Sequence, residues 1–305
     1  MGDIEGRRRR GLEESIERRR HPIMVELPTP RGVDCSHALS FARKGEEYVD
    51  AFLVPDVPTG RVRADPVAVS KLLLDAVTAD VVSSISVRHH SLEANISRML
   101  GLWIVGVRNL NIVMGDALPG LSFPEHPSLG ALKAIRLAKS MADGWVETSF
   151  GRARISGRPR FFVGCALLPN RRGEEERVKA KVDAGADFFI TQVSFEHYTL
   201  ASFFDRLASQ GFRFDRPVFV ALAVMKAKRS LEALRGLDGL YLPEKVAERL
   251  LSSNDLEEES IGLGMKVFHE AANSLKGRVK LGAYVLPLNG SGRSLELARG
   301  LSDKG

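Results

Sequence analysis

Three polar side chains stand where apolar runs stop, and their types suit acid–base chemistry on a nitrogen heterocycle. Glu26 closes the run in VELPTP, just before two prolines. A carboxylate at an otherwise apolar strand end loses hydration, so its pKa rises toward that of a general acid. The alternative is an acid bonded to the backbone amides of the next turn. Asp116 follows the run in IVMGDALPG, where Gly115 lets the backbone turn or approach a ligand closely; a GD pair is equally a common turn. Gln192 ends FFITQVSF, and its amide could donate and accept at once, or satisfy local backbone groups instead. Two carboxylates and an amide could bind and protonate a heterocycle without specifying which one.

These residues need elements that bring them to one face. Strand candidates rich in β-branched and aromatic residues fall at 23–27, 48–54, 81–87, 110–114, 161–166, 188–192, 218–223 and 281–286. Between them, helical spacing marks 66–77, 91–105, 129–142, 174–184, 200–210 and 229–234. Strands apolar almost throughout belong in a parallel sheet covered on both faces. Eight such units in 305 residues point to a closed (β/α)8 TIM barrel, which needs roughly 250 residues and carries its chemistry at the carboxyl ends of its strands. An open doubly wound sheet is the weaker alternative, because no glycine-rich phosphate loop follows the first strand. The interval 237–276 is too long for one helix and implies an extra helical excursion, with Asn254 or Asp255 of NDLEEES available as a cap.

Residues 1–21 read as a basic, charged N-terminal tail, and 22–305 as a single barrel domain. The formal net charge is +6, part of it in Arg7–Arg10 and Arg18–Arg20. Acids interleave with these arginines and no stacking aromatics accompany them, which argues against nucleic acid and for a solvated, partly helical segment. No apolar run reaches the ~20 residues of a membrane span, and the first residues lack the apolar centre of a signal peptide. The expectation is a cytoplasmic protein. Cys35 and Cys165 belong to no ligand pattern and read as buried small side chains. His89–His90 are adjacent, a spacing that points a strand's side chains to opposite faces, so no metal site is expected. Trp103 and Phe203 read as core.

The segment VDAGADFFITQVSF (182–195), preceded by Lys181, resembles the most characteristic stretch of the methylenetetrahydrofolate reductase family, KVDAGAxxxITQxxF. VDAFLVPDVPTGRVRADP, SVRHHSLEANISRML and GVRNLNIVMGD resemble its second to fourth strands, and VELPTP and YVLPLN resemble its first and last. The resemblance covers most of residues 22–300. It implies a (β/α)8 barrel that reduces the methylene group of a reduced pterin, such as 5,10-methylenetetrahydrofolate, to a 5-methyl group with FAD and NAD(P)H. By motif, Glu26 would be the acid that opens the methylene bridge, and Asp116 would lie between flavin and pterin. Gln192 and Phe195 would contact the pterin. Ser86, Gly115, Asp116, Glu174 and Lys181 would lie against the cofactor; a solvent-facing helix pair is the alternative for Glu174 and Lys181. The family habit favours a homo-oligomer over a monomer. Departures concentrate on the flavin side. The family's HxTC is Ser84–Ile85–Ser86–Val87, its RGD is MGD, Asn170 replaces a glutamate, and Tyr284 replaces the final histidine. The pterin side is kept better, which leaves room for a flavin-independent one-carbon transfer component acting with a partner protein.

Overall fold

In the computed structural model, which describes residues 11–115 and 129–302, short extended runs, most of them buried, alternate with helices. The strands are β1 (Ile23–Glu26), β2 (Ala51–Val54), β3 (Asp80–Ser86), β4 (Asn109–Val113), β5 (Trp145–Thr148), β6 (Gly151–Arg154), β7 (Phe162–Leu167), β8 (Phe188–Val193), β9 (Val218–Met225) and β10 (Leu281–Leu288). Eight of them form a closed parallel barrel in the order β1-β2-β3-β4-β7-β8-β9-β10, with β10 pairing back onto β1. β5 and β6 make a separate antiparallel hairpin. The expected barrel class is the observed one.

Helices α1 (Leu12–Arg18), α2 (Ser36–Gly45), α3 (Pro66–Ala76), α4 (Leu92–Val105), α5 (Ala131–Ser140), α6 (Glu174–Asp183) and α7 (Tyr198–Ser209) are followed by α8 (Arg229–Arg235), α9 (Glu244–Ser252), α10 (Leu256–Ser274) and α11 (Ser294–Leu301). Several start where the chain supplies a cap. Asp65 accepts from the Val67 amide before Pro66, Ser91 from Ala94, and Asp255 from Glu258. Gly106, at φ 107°, ends α4 in a left-handed conformation that only glycine adopts without cost. The excursion expected within 237–276 is α9, ahead of α10; together with α8 it covers a small core of Phe195, Met225, Leu231, Leu250 and neighbours.

Outward strand faces meet the helices in one continuous core, while inward faces fill the barrel with Met24, Leu53, Val82, Phe188, Ile190, Phe219 and Tyr284. Gly164 and Gly282 make room for the rings: a β-carbon at Gly164 would sit 2.2 Å from Phe188. The N-terminal end is closed by α1. Leu12 is fully buried and Ile16 nearly so, both in the interior cluster. Asp80 accepts from the Leu12 amide at 2.7 Å and from the Asn109 side chain at 2.9 Å, locking the plug to β3 and β4. Arg19 pairs with buried Asp50 at 2.5 Å. Residues 12–19 are thus part of the barrel and not a solvated tail; the spacing of Leu12 and Ile16 was masked by the surrounding charges. Arg7–Arg10 lie outside the described residues.

Candidate functional site

The carboxyl ends of the strands form a mouth whose inner wall is polar. Parallel register sets Met24 beside Tyr284, so Glu26, one side-chain pair further along β1, reaches the Tyr284 ring tip. The Tyr284 hydroxyl donates to Glu26 Oε2 at 2.5 Å. Burial pushes the Glu26 carboxyl above its ordinary range; the Tyr284 hydrogen bond and the Arg63 charge oppose this, and burial wins. Burial and the neighbouring carboxylate drive the Tyr284 phenol well above its own range, so it stays a donor. Such a pair can hold a proton and deliver it at the mouth.

Across from it, β3 and β4 present a second polar pair. Ser84 and Asn111 are register partners, and Asn111 Nδ2 donates to Ser84 Oγ at 3.3 Å. Asn111 is 7% exposed, and its Oδ1 has no hydrogen-bond partner. An orphaned buried acceptor is costly and suits a ligand N–H or an ordered water. The alternation in NLNIV was available in the sequence, but an asparagine inside a strand was not read as a site residue.

Gln192 lies at the end of β8 in a bulge between Ile190 and Val193, a feature that re-aims a side chain. Its amide donates to the Asp238 carbonyl at 3.0 Å and accepts from the Val193 amide at 3.0 Å, the local satisfaction that was its alternative. Phe195 is buried in the small core with residues of α8 and α9. Ser86 is buried, its hydroxyl donating to the Asp56 carbonyl and its amide to the Asp56 carboxylate, both at 2.8 Å. Gly115 turns at φ 83° against His89 and Ser86. Asp116 lies outside the described residues.

Glu174 and Lys181 are neither a solvent-facing pair nor open to the mouth. Glu174 is fully buried and accepts from Lys181 Nζ at 3.1 Å, Arg171 Nε at 2.7 Å and the Leu168 amide at 3.2 Å. Lys181 also donates to the Ala166 carbonyl at 2.5 Å. Three of the four described positions that the resemblance assigns to a cofactor, Ser86, Glu174 and Lys181, thus have their side chains bonded within the chain, an arrangement that does not present them to a flavin.

One network escaped the sequence reading. Asp56, buried beyond β2, is held by Arg98 at 3.2 Å through both guanidinium nitrogens, and Arg98 also contacts His90 and, at 3.5 Å, Asp65. His90 is thereby a structural partner, its pKa lowered by burial and then by Arg98. No cluster of three metal-ligating side chains occurs among the described residues. Cys165 is buried, its thiol pushed up to about 12 chiefly by burial, whereas Cys35 is partly exposed rather than buried. Phe203 is core, and Trp103 packs edge-on to Phe161. Among the described residues no helix is long and apolar enough to cross a membrane.

A closed parallel barrel with a carboxyl of raised pKa at its carboxyl-end mouth defines the chain as a (β/α)8 barrel protein. Within it, the sequence profile of the Methylenetetrahydrofolate reductase family matches residues 12–294, and the chain belongs to that family. A probable methylenetetrahydrofolate reductase (NADPH) of Caenorhabditis elegans is 22% identical over 248 residues, 78% of this chain. The chain spans only 36% of that relative's length. Among solved structures, an uncharacterized Clostridium thermocellum protein that binds two copies of 5-methyl-5,6,7,8-tetrahydrofolic acid superposes with a TM-score of 0.70 at 16% identity, covering 95% of this chain and 98% of its own. An F420-dependent secondary alcohol dehydrogenase superposes at 0.54 and 15% identity, covering 92% and 98%. At these identities the two structures speak to the fold alone.

Proposed function

We propose that this protein binds a reduced pterin in the barrel mouth and reduces its methylene group to a 5-methyl group, with Glu26 as the proton donor. The observation that carries the proposal is the Glu26–Tyr284 pair: a carboxyl whose pKa burial raises, with a phenol fixing its orientation. In this account Glu26 gives its proton to the bridge nitrogen that leaves. The carbon–nitrogen pair stays on that nitrogen, and the carbon becomes an iminium on the other. A nicotinamide donor supplies the hydride when bound. Tyr284 then donates to the carboxylate left behind, which offsets the burial of its charge. Asn111 Oδ1 gives the ring an acceptor on the opposite wall. No step is derived through FAD, because Ser86, Glu174 and Lys181 are committed to the protein itself.

That commitment also favours a second reading, a flavin-independent one-carbon transfer component that hands its unit to a partner protein. Absorbance spectra of the purified protein with and without added FAD, followed by calorimetric titration of a reduced folate, separate the two. Folate binding and NADPH-dependent turnover are expected without a stoichiometric flavin band. Folate binding with no turnover under either condition would leave the transfer component. No folate binding at all would sink both.

A further inference from the structure

Three arginines crowd the edge of the mouth nearest Glu26: Arg31 on the loop after β1, and Arg61 and Arg63 on the loop after β2. Among the described residues none of the three side chains makes a hydrogen bond or an ion pair within 4 Å; the Arg61 backbone amide donates to the Pro58 carbonyl at 3.2 Å. Elsewhere, guanidinium groups at this face do find carboxylates, as Arg98 does with Asp56 and Arg171 with Glu174. Arg63 is only partly exposed and lies within electrostatic reach of both other arginines and of Glu26, which alone among these neighbours favours its charge. Like charges left together without a counter-ion repel unless something outside the chain neutralises them.

The loop that carries two of them is held in place. Asp56, at its base, is fixed by the Ser86 amide and Arg98. Val57 sits at φ 46°, ψ 50°, left-handed backbone that a β-branched residue occupies only at a cost of roughly 1–3 kcal/mol. A 3-10 turn follows over Pro58–Gly60, and the Ala64 amide donates to the Pro30 carbonyl at 3.0 Å, tying the loop to the one that carries Arg31. Strain that the surroundings over-determine is found where a ligand is met.

We infer that Arg31, Arg61 and Arg63 form a binding site for an oligoanionic group, carboxylate or phosphate, attached to the molecule whose reacting end meets Glu26. Planar guanidinium groups suit both anions. The inference rests on the pterin proposal for the identity of that molecule, but not for the anion site itself. A pterin with a chain of carboxylates would place its ring at Glu26 and its tail on the arginines; a phosphate-bearing hydride donor would use the same charges.

The test is calorimetric titration of the full chain with 5-methyltetrahydrofolate carrying one or five glutamyl residues, and, without any pterin, with free triglutamate and with pyrophosphate. The longer tail should bind about tenfold more tightly at low salt, an advantage that shrinks with added NaCl. Arg63→Gln and Arg61→Gln should remove it, and Arg213→Gln, an exposed arginine at the opposite end of the barrel, should not. Triglutamate binding lost in Arg63→Gln assigns the site to a carboxylate tail; pyrophosphate binding lost in the same variant assigns it to a phosphate. Pterin-free anions that bind in an Arg63-dependent way, with no pterin bound in any form, would keep this site and discard the pterin proposal. Affinity independent of tail length, with both anions indifferent to Arg63→Gln, overturns the inference.

Discussion

Replacing Glu174 with alanine tests whether the α6 charges hold the barrel together or wait for a ligand. Glu174 is fully buried and Lys181 7% exposed, so neither charge is solvated by bulk water. Removing the carboxylate leaves the Lys181 ammonium with the Ala166 carbonyl alone, and the Leu168 amide without its acceptor. Breaking a buried pair from one side costs about 3–5 kcal/mol. Lys181→Met should cost less, about 1–3 kcal/mol, because Arg171 still pairs with Glu174. Urea unfolding followed by far-ultraviolet circular dichroism measures both, and the double variant should lose less than the sum. In thermal scans Glu174→Ala should lower Tm by on the order of 10 °C. A loss below about 1 kcal/mol, the worth of an exposed pair, together with loss of flavin uptake by the variant, would refute the reasoning and restore Glu174 to a cofactor site.

The raised Glu26 pKa has a sign that stability measurements can read. The carboxyl costs nothing while protonated, so its contribution is fully present below the ordinary carboxylate pKa and is lost as pH rises through the folded value. Glu26→Gln should therefore match wild type near pH ~4 and exceed it near pH ~8 in urea midpoint, and equal midpoints at both would contradict this. Tyr284→Phe removes a hydrogen bond that favours the carboxylate, so the Glu26 titration followed by carbon-detected NMR should move to higher pH. Leu12→Ala should cost about 2–5 kcal/mol, since the side chain plugs the barrel floor; an unchanged midpoint would mean α1 is dispensable. Gly164→Ala should cost at least ~1–3 kcal/mol by overpacking, because the new β-carbon would fall 2.2 Å from Phe188.

Much of the barrel was legible in the chain. All eight barrel strands fall at the expected places, since each is a short run with hardly an exposed residue, and Asp255 caps α10 as its sequence suggested. The hairpin β5–β6 was missed because WVETSFGRAR carries little apolar periodicity and is largely exposed. The helical character of α1 was expected but its burial was missed for the same reason: three buried residues, only two of them apolar, sit among four charged ones. At the site, Glu26 was visible as a lone acid at an apolar strand end, and its position beside Tyr284 follows from closure of the barrel by β10. Burial of Glu174 and Lys181 was not visible, because helical spacing does not tell which charged face turns inward. The fate of Gln192 was equally hidden: a bulge, rather than strand alternation, decides where its amide points.

The most direct test of the central claim is pre-steady-state reduction of 5,10-methylenetetrahydrofolate with NADPH by wild-type protein and by Glu26→Gln, alongside the affinity of each for 5-methyltetrahydrofolate. With Glu26 as the proton donor the rate should fall about 10²–10⁴-fold, the usual worth of a positioned general acid, while affinity changes little. A variant that turns over at the wild-type rate, or that loses binding in step with rate, would contradict the assignment of Glu26 as the proton donor.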